Sequence, residues 1–428
     1  MPDGALAVGG RSVARPRAGT DIETVFVLND FCYVQGGASK VAIDEAVALR
    51  AQGLEVAFLG AVGAPCEALR AGGVHVVSLG QPELADVVRH PAAALRGLWN
   101  RQAATALRAL LDGHDKRRCI VHLHGYTKAL TAVPALAARR AGFATVCTLH
   151  DFFAACPNGA FYHYGEQKPC GRTALSLACM AAQCDKRWAA HKAYRVVRGQ
   201  VQRHLAHFPA SVRDYISLSR RSAALLRPYL PEDARLYPLS NIIDVGEAPP
   251  VDPAANRTVV VLGRLDAEKG VDLAAEAARR LDLPIVFIGE GPLRSAVEAT
   301  GATVTGWLPS EGVLRALEQA RCLVFPSRWY EAFGLVVDEA AARGVPAIVS
   351  DISAAAERVT DGVTGWIFQS GNVDDLIRRL AVVRDDAVVR CAGAAAYRQY
   401  WQAPHDRRHH TEQLAAIYEA VLARGVPA

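Results

Sequence analysis

Hydrophobic and polar positions along the chain follow a pattern that repeats almost from end to end. Short apolar runs rich in β-branched residues occupy 25–28, 55–59, 74–78, 119–123, 144–149 and 215–218 and read as buried strands. Alanine-rich stretches with helical character lie between them at 38–52, 92–111 and 127–141. Strands alternating with helices in this way predict a parallel sheet covered by helices on both faces. The pattern then restarts, with strands expected at 258–262, 285–288, 303–305, 322–325, 347–349 and 366–368, and helices at 272–281, 312–319 and 336–343. Between the halves, the proline-rich segment 247–257 reads as an exposed linker. The expected organisation is α/β: a tail over 1–20, a doubly wound domain over 21–246 with a cysteine-containing insertion at 152–186, the linker, a second doubly wound domain over 258–402, and a closing helix in 403–428. The helical part of that last segment, 411–422, is assigned by the sequence to neither domain. A ligand is expected in the cleft between the carboxyl ends of the two sets of strands.

Composition narrows the class without changing this picture. With 428 residues, 51% of them apolar and 21% charged, the chain can bury a sizeable core, which excludes a disordered or collagen-like protein. No stretch approaches the ~20 uncharged apolar residues that a membrane-crossing helix needs. The first 20 residues lack an apolar stretch of the signal-peptide kind and read as a tail. Ten cysteines in such a chain point to a reducing compartment, and a cytoplasmic location is expected.

The densest chemistry lies in the second half, in Phe325-Pro-Ser-Arg-Trp-Tyr-Glu-Ala-Phe-Gly-Leu-Val-Val-Asp-Glu-Ala. A strand ends at Phe325 and a helix opens near Gly334, so the amides of Gly334 and Leu335 fall where unpaired N–H groups favour a phosphate. Glu331 precedes the helix and Glu339 lies inside it, which lets one carboxylate face a sugar hydroxyl and the other a ribose diol. Alone, two such glutamates read first as a solvated helix face. Val261-Leu-Gly-Arg-Leu-Asp-Ala-Glu-Lys-Gly adds two cations, Arg264 and Lys269, at the end of another strand, where they can neutralise a diphosphate as it leaves. Gly289-Glu-Gly-Pro-Leu-Arg is a further strand-to-loop turn; it lacks the third glycine of a dinucleotide fingerprint, which makes NAD a weak reading.

Together, Gly-Arg-Leu-x4-Lys-Gly, Gly-Glu-Gly-Pro-Leu, Glu-x7-Glu around Phe-Gly-Leu, and Glu339-Ala-Ala-Ala-Arg-Gly-Val-Pro resemble family 4 of the retaining glycosyltransferases over roughly residues 23–400. The resemblance implies the GT-B fold, two Rossmann-like domains facing a central cleft. It implies that Arg264 and Lys269 bind a donor diphosphate, Glu331 the transferred sugar and Glu339 the nucleotide ribose, with Gly289, Gly291, Phe333, Gly334 and Leu335 completing the donor site. The sequence departs from the family where Ser353-Ala-Ala-Ala-Glu357 stands in place of a Gly-Gly-x-x-Glu turn, which leaves the placement of Glu357 open. In the family, the Gly36-Gly37 turn forms one wall of the reaction cleft, and a histidine near the donor sugar falls at His150.

The first half contributes the remaining candidates. His150 and Asp151 follow a buried strand; the ring can bond a sugar hydroxyl, and Asp151 can orient it or contact the acceptor. In Val121-His-Leu-His-Gly, alternation is expected to send the rings of His122 and His124 to opposite faces, with His124 toward the cleft and the acceptor. The resemblance further implies transfer with the departing diphosphate itself taking the acceptor's proton, and no cofactor or catalytic metal.

Two segments stand apart. Cys156, Cys170, Cys179 and Cys184 fall close together without a Cys-x-x-Cys pair, and a structural zinc, free thiols and disulfides all remain open. Residues 186–213 carry seven Lys or Arg and no acid, interleaved with Trp188, Tyr194 and Phe208, and 89–108 is a second basic stretch with Trp99. Such a helix can lie on an anionic membrane, or be a plain solvated face; nucleic-acid binding is disfavoured by the modest net charge of +5 and the absence of a nucleic-acid motif. The expected partners are a nucleotide-diphosphate sugar and a glycan or lipid-linked acceptor of surface polysaccharide synthesis, with peripheral attachment through 186–213. The alternatives are a transferase acting on a soluble small molecule and a non-catalytic sugar-nucleotide sensor or scaffold.

Overall fold

The computed structural model describes residues 22–83 and 91–425; the expected tail over 1–20 and Arg89 lie outside them. The chain opens with β1 (Thr24–Phe31), α1 (Gly37–Ala51), β2 (Glu55–Val62), α2 (Glu67–Ala71), β3 (His75–Ser78), α3 (Pro91–Leu98), α4 (Arg101–Leu111), β4 (Cys119–Leu123), α5 (Val133–Arg140) and β5 (Ala144–Leu149). The insertion carries a small hairpin, β6 (Tyr162–His163) and β7 (Lys168–Pro169), then α6 (Leu177–Ala181), α7 (Ala189–His204), β8 (Asp214–Ser217), α8 (Arg220–Leu226) and β9 (Arg235–Pro238). Seven of these strands form one parallel sheet in the order β3-β2-β1-β4-β5-β8-β9.

The second sheet is built from β10 (Thr258–Leu262), α9 (Val271–Arg280), β11 (Ile285–Ile288), α10 (Arg294–Glu298), β12 (Thr303–Gly306), α11 (Ser310–Glu318), β13 (Ala320–Phe325), α12 (Leu335–Ala341), β14 (Ala347–Ser350) and β15 (Gly365–Phe368), in the parallel order β12-β11-β10-β13-β14-β15. Both central strands, β1 and β10, are flanked on each side, and the strand order reverses there. That reversal opens a crevice at the carboxyl ends of the strands. The chain closes with α13 (Val373–Val382), α14 (Asp386–Gln402) and α15 (Arg407–Leu422). Helix α15 crosses back: Leu414, Ile417, Tyr418 and Val421 join the core formed by Ile43, Leu49, Val27 and Ile120 of the first domain.

Three differences from the expected elements have local causes. The stretch 92–111 breaks into α3 and α4 at Asn100, whose side chain accepts the Ala103 N–H at 3.0 Å and starts a new helix. The stretch 127–141 becomes helical only at Val133. Before it, the N–H groups of Lys128, Ala129 and Leu130 are all donated to the buried Asp30 carboxylate at 2.8 Å, which fixes a turn in place of a helix. The edge strand β9 went unpredicted because Arg-Leu-Tyr-Pro is short and ends in proline.

Part of the charge of the basic stretch 186–213 is spent inside the protein, while Lys186, Arg187 and Arg203 stay exposed. Lys192 and Arg198 are buried; Arg198 donates to the carbonyls of Thr127 and Tyr126, and Arg195 pairs with Asp185 at 3.2 Å. Lys186 reaches the second domain, 2.7 Å from Asp266 and 3.1 Å from Glu268. No helix among the described residues is long and apolar enough to cross a membrane.

Candidate active site

The second-domain wall of the crevice is centred on Glu331. Its Oε1 accepts from Lys269 Nζ, from Ser327 Oγ at 3.0 Å and from Trp329 Nε1 at 2.6 Å, and Lys269 Nζ also sits 5.2 Å from the centre of the Trp329 ring. Burial works to raise the Glu331 carboxyl; the Lys269 charge and the three donors outweigh it and hold it below its ordinary value. All three bonds fall on one oxygen, so none of these donors reaches Oε2. Ser327 and Trp329 were not singled out by sequence, though both lie inside the motif that drew attention to Glu331.

Arg264 is steered from below. Its Nη1 lies 2.5 Å from Asp266 and its Nη2 3.5 Å from Glu268, both acids buried and shared with Lys186 of the first domain. The Arg264 side chain is 59% exposed, held by these two acids and otherwise open to solvent. Gly289 and Gly291 serve the packing of two loops. A β-carbon at Gly289 would lie 2.0 Å from the Gly263 carbonyl oxygen, and one at Gly291 2.5 Å from that of Leu265.

Gly334, at φ 94, turns the chain into α12, and Leu335 begins that helix. Across the crevice, a β-carbon at Gly37 would meet Leu335 Cδ1 at 3.7 Å, while one at Gly36 would meet nothing within 4 Å. The starts of α1 and α12 therefore face each other, with open space at Gly36. Glu339 sits inside α12; burial, with Asp338 adding, raises its carboxyl, and the opposing charge is Lys40 of α1. Phe333 differs from the expectation of a ligand contact: the residue is 4% exposed, its ring is covered by Arg358 at 4.0 Å, and its carbonyl accepts from Arg358 Nη2 at 2.7 Å. Glu357 caps α8 of the first domain, accepting the N–H groups of Arg220 at 3.0 Å and Arg221 at 2.7 Å.

On the first-domain wall, the expectation for the paired histidines is overturned. Residues two apart in a strand share a face, and the rings of His122 and His124 lie 3.9 Å apart. Both are buried, and His124 stands behind His150, with its Nδ1 3.0 Å from His150 Nε2. His150, partly exposed, is the member of this set that reaches the crevice, and His124 has no acceptor-facing surface. Burial first, then the neighbouring His124, lowers the His150 ring to about 3, so it is neutral under working conditions.

Burial pushes the Asp151 carboxyl up to about 6, against the lowering effect of the Phe153 N–H that it accepts at 2.9 Å. Between an ordinary carboxylate value of about 4 and this raised one, the folded chain keeps a proton that the unfolded chain has released, so this group costs stability as pH rises through the window. Asp151→Asn is therefore expected to gain stability relative to the parent chain as pH rises from about 4 to about 6. Urea unfolding of both proteins at several pH values checks this; a constant difference would contradict it.

The four cysteines of the insertion do not form a zinc site. Lys192 places its ammonium 3.2 Å from Cys184 Sγ and 3.9 Å from Cys179 Sγ, a cation where a metal would need to sit. Cys156 Sγ donates to Asn158 Oδ1, Cys170 lies by Arg172, and all four thiols are free. Among the described residues, the one group of three metal-ligating side chains with ligand atoms within 4.8 Å of one another is Glu45, His122 and His124.

Residues 35–246 match the profile of Glycosyltransferase Family 4, and residues 249–396 that of Glycosyl transferases group 1. The chain belongs to the group 1 glycosyltransferases. Among curated relatives, Alpha-D-kanosaminyltransferase of Streptomyces kanamyceticus is 30% identical over 179 residues, 38% of this chain and 45% of that protein. The matched stretches span only 34–53% of the first such relatives' own lengths. Among solved structures, the sucrose-phosphate synthase of Thermosynechococcus elongatus aligns over 94% of this chain and 100% of its own, with a TM-score of 0.69 at 17% identity. Anabaena HepE, solved in complex with UDP and glucose, aligns over 93% of this chain and 100% of its own, with a TM-score of 0.64 at 16% identity. The group 1 glycosyltransferase thus has the GT-B fold, with two Rossmann-like domains.

Proposed function

We propose that this group 1 glycosyltransferase moves a sugar from a nucleotide-diphosphate donor to a hydroxyl of a glycan or lipid-linked oligosaccharide, with retention at the anomeric carbon, in surface polysaccharide synthesis. The observation that carries the reading is the Glu331 carboxylate, anchored through one oxygen by Lys269, Ser327 and Trp329, none of which reaches the other. In this reading Glu331 Oε2 accepts a hydroxyl of the donor sugar, and Lys269 and Arg264 take the charge that builds on the diphosphate as the anomeric C–O bond breaks. Backbone at Gly36, Gly37, Gly334 and Leu335 borders the diphosphate, and Glu339 takes the ribose. The acceptor oxygen forms its bond to the same face of the anomeric carbon, and its proton passes to a phosphate oxygen of the leaving group. His150 holds the sugar, and the protein supplies position and charge. The hairpin residues Gln167, Lys168 and Pro169 face Arg328, Ser370 and Asn372 across an open cleft of about 680 Å³, which gives a polymeric acceptor a polar path to the site.

HepE's complex with UDP and glucose supports a UDP-linked donor as the first to try. Thermal-shift screening against UDP, GDP, ADP and CDP sugars tests the reading, since a ligand at a hundred times its Kd adds about 2.7 kcal/mol. One nucleotide class is expected to raise the Tm by several degrees and then to be consumed in the presence of a polysaccharide acceptor. No shift with any of the four would count against it.

A further inference from the structure

Behind His150 runs a buried line of polar groups that the donor chemistry leaves unused. His124 joins His150 through its Nδ1, and its Nε2 lies 3.2 Å from Glu45 Oε2 on α1 and 3.1 Å from His122 Nδ1. Glu45 Oε1 is 3.0 Å from His410 Nε2 on α15, and His410 Nδ1 is 2.8 Å from the carbonyl oxygen of Ser240. His122 is held between Thr148 Oγ1 and the Tyr418 hydroxyl, each at 2.7 Å. Glu45, His122, His124 and His410 are each at most 3% exposed.

Donor direction fixes where the protons sit. A carbonyl and a carboxylate only accept, so His410, placed between Ser240 and Glu45, carries a proton on both nitrogens and pairs with Glu45 as a cation. Burial alone would raise the Glu45 carboxyl; the histidine rings that surround it outweigh burial and hold Glu45 well below the usual carboxylate range. With that one negative charge already matched, a second imidazolium at His124 would stand uncompensated beside two other rings, so His124 is neutral. Its Nε2 lies 3.2 Å from Glu45 Oε2, a buried oxygen that no well-aligned donor reaches, so two lone pairs would repel there unless Nε2 carries the proton, which leaves Nδ1 bare. A bare Nδ1 only accepts, so His150 must place its proton on Nε2.

We propose that Glu45, acting through His124, is a positioning residue that locks His150 in its Nε2–H form and turns the Nδ1 lone pair toward a hydroxyl of the bound sugar. The returning helix α15 is part of this device, because His410 supplies the charge that keeps His124 neutral. The proposal rests on the reading of His150 as the sugar-facing ring. A metal at Glu45, His122 and His124 is the competing use of these atoms, but the ring nitrogens already bond Thr148, Tyr418 and His150.

The test is nitrogen NMR of the full chain carrying ring-15N histidine, with His150 assigned by its loss in His150→Ala. The expected result is a protonated Nε2 and bare Nδ1 on His150 in the parent chain. In Glu45→Gln the side-chain amide can donate to His124 Nε2, the line reverses, and His150 is expected to carry its proton on Nδ1. That variant is expected to lose about ten- to a hundredfold in kcat with donor KM within about twofold, as for other groups that act by orienting an imidazole. Tyr418→Phe, which removes only the hydroxyl that bonds His122, should keep the His150 pattern. A His150 protonated on Nδ1 in the parent chain, an unchanged pattern in Glu45→Gln, or one zinc per chain by elemental analysis would overturn the proposal. The parent spectrum decides even if Glu45→Gln does not fold. Undiminished transfer by His150→Ala would instead sink the sugar-facing role and leave the proton assignment standing.

Discussion

Glu331→Gln is expected to abolish nearly all transfer while leaving a folded chain that still binds the free nucleotide. The amide keeps the shape of the carboxylate, and its oxygen can still accept from Ser327 and Trp329. It removes the negative charge that pairs with Lys269, and it places an NH2 where Oε2 would accept a sugar hydroxyl. The loss falls on an interaction with the reacting sugar, in a site where burial strengthens each charge. Removal of one such preoriented group costs about a hundredfold to a thousandfold in kcat, or ~3–4 kcal/mol. The cost to stability is smaller. Lys269 keeps 21% of its side chain in contact with solvent, so water partly replaces the lost counter-charge. Steady-state kinetics with the donor found by thermal shift, together with a urea titration, separate the two effects. Turnover within threefold of the parent would remove Glu331 from the site. Lost turnover with equally lost nucleotide binding would assign it to ground-state affinity alone.

How far the site could be read in advance depends on whether its residues act through local pattern. Arg264, Lys269 and Glu331 lie in short segments that follow the ends of strands, and Glu339 in the helix that opens after one of them, so local pattern already groups them. The strands were legible from local pattern too: 285–288 is a continuous apolar run and 119–123 is apolar but for His122, and they form β11 and β4 with those bounds. Glu45 was legible too, and overlooked. It falls on the buried stripe of α1 with Ala42, Ala46 and Leu49, where a charge needs a partner. That its partners are His124 and a histidine 365 residues away on α15 is tertiary information that no local pattern holds. The basic stretch was legible only in part. Its charges are evident in sequence, but apart from the adjacent Asp185, the groups that receive them, Asp266, Glu268 and the Thr127 carbonyl, come from other segments. The cysteines were left open for a like reason, because the ammonium from α7 that stands 3.2 Å from Cys184 Sγ is not visible in their spacing.

Gly289→Ala is expected to be the most damaging single methyl group in the second domain. Gly289 sits at φ 144, a backbone state that L side chains rarely adopt, at the end of β11. The added β-carbon would lie 2.0 Å from the Gly263 carbonyl oxygen and 2.9 Å from its carbon, and backbone cannot swing aside as a flexible side chain can. Nor can the loops part cheaply. Gly263 N–H donates to Ile288 at 3.0 Å, Gly289 N–H to Gly306 at 2.9 Å and Leu265 N–H to Glu290 at 2.9 Å, and separation would break this set where burial makes unpaired groups costly. Strain of ~1–3 kcal/mol from the backbone state and a similar amount from overpacking give an expected loss of about 3–5 kcal/mol, a large part of a typical domain's stability. Gly36→Ala is the matched control. Its backbone is extended, at φ 179, and its new methyl group would meet nothing within 4 Å, so the fold should be unmoved. That open space is where the diphosphate is proposed to lie, so Gly36→Ala should weaken donor binding and leave the urea midpoint alone. Gly289→Ala should lower the midpoint first and lose binding only as a consequence. Equal urea midpoints for the two variants would mean that the β10 and β11 loops are free to separate, and that Gly289 is needed for the ligand and not for the fold.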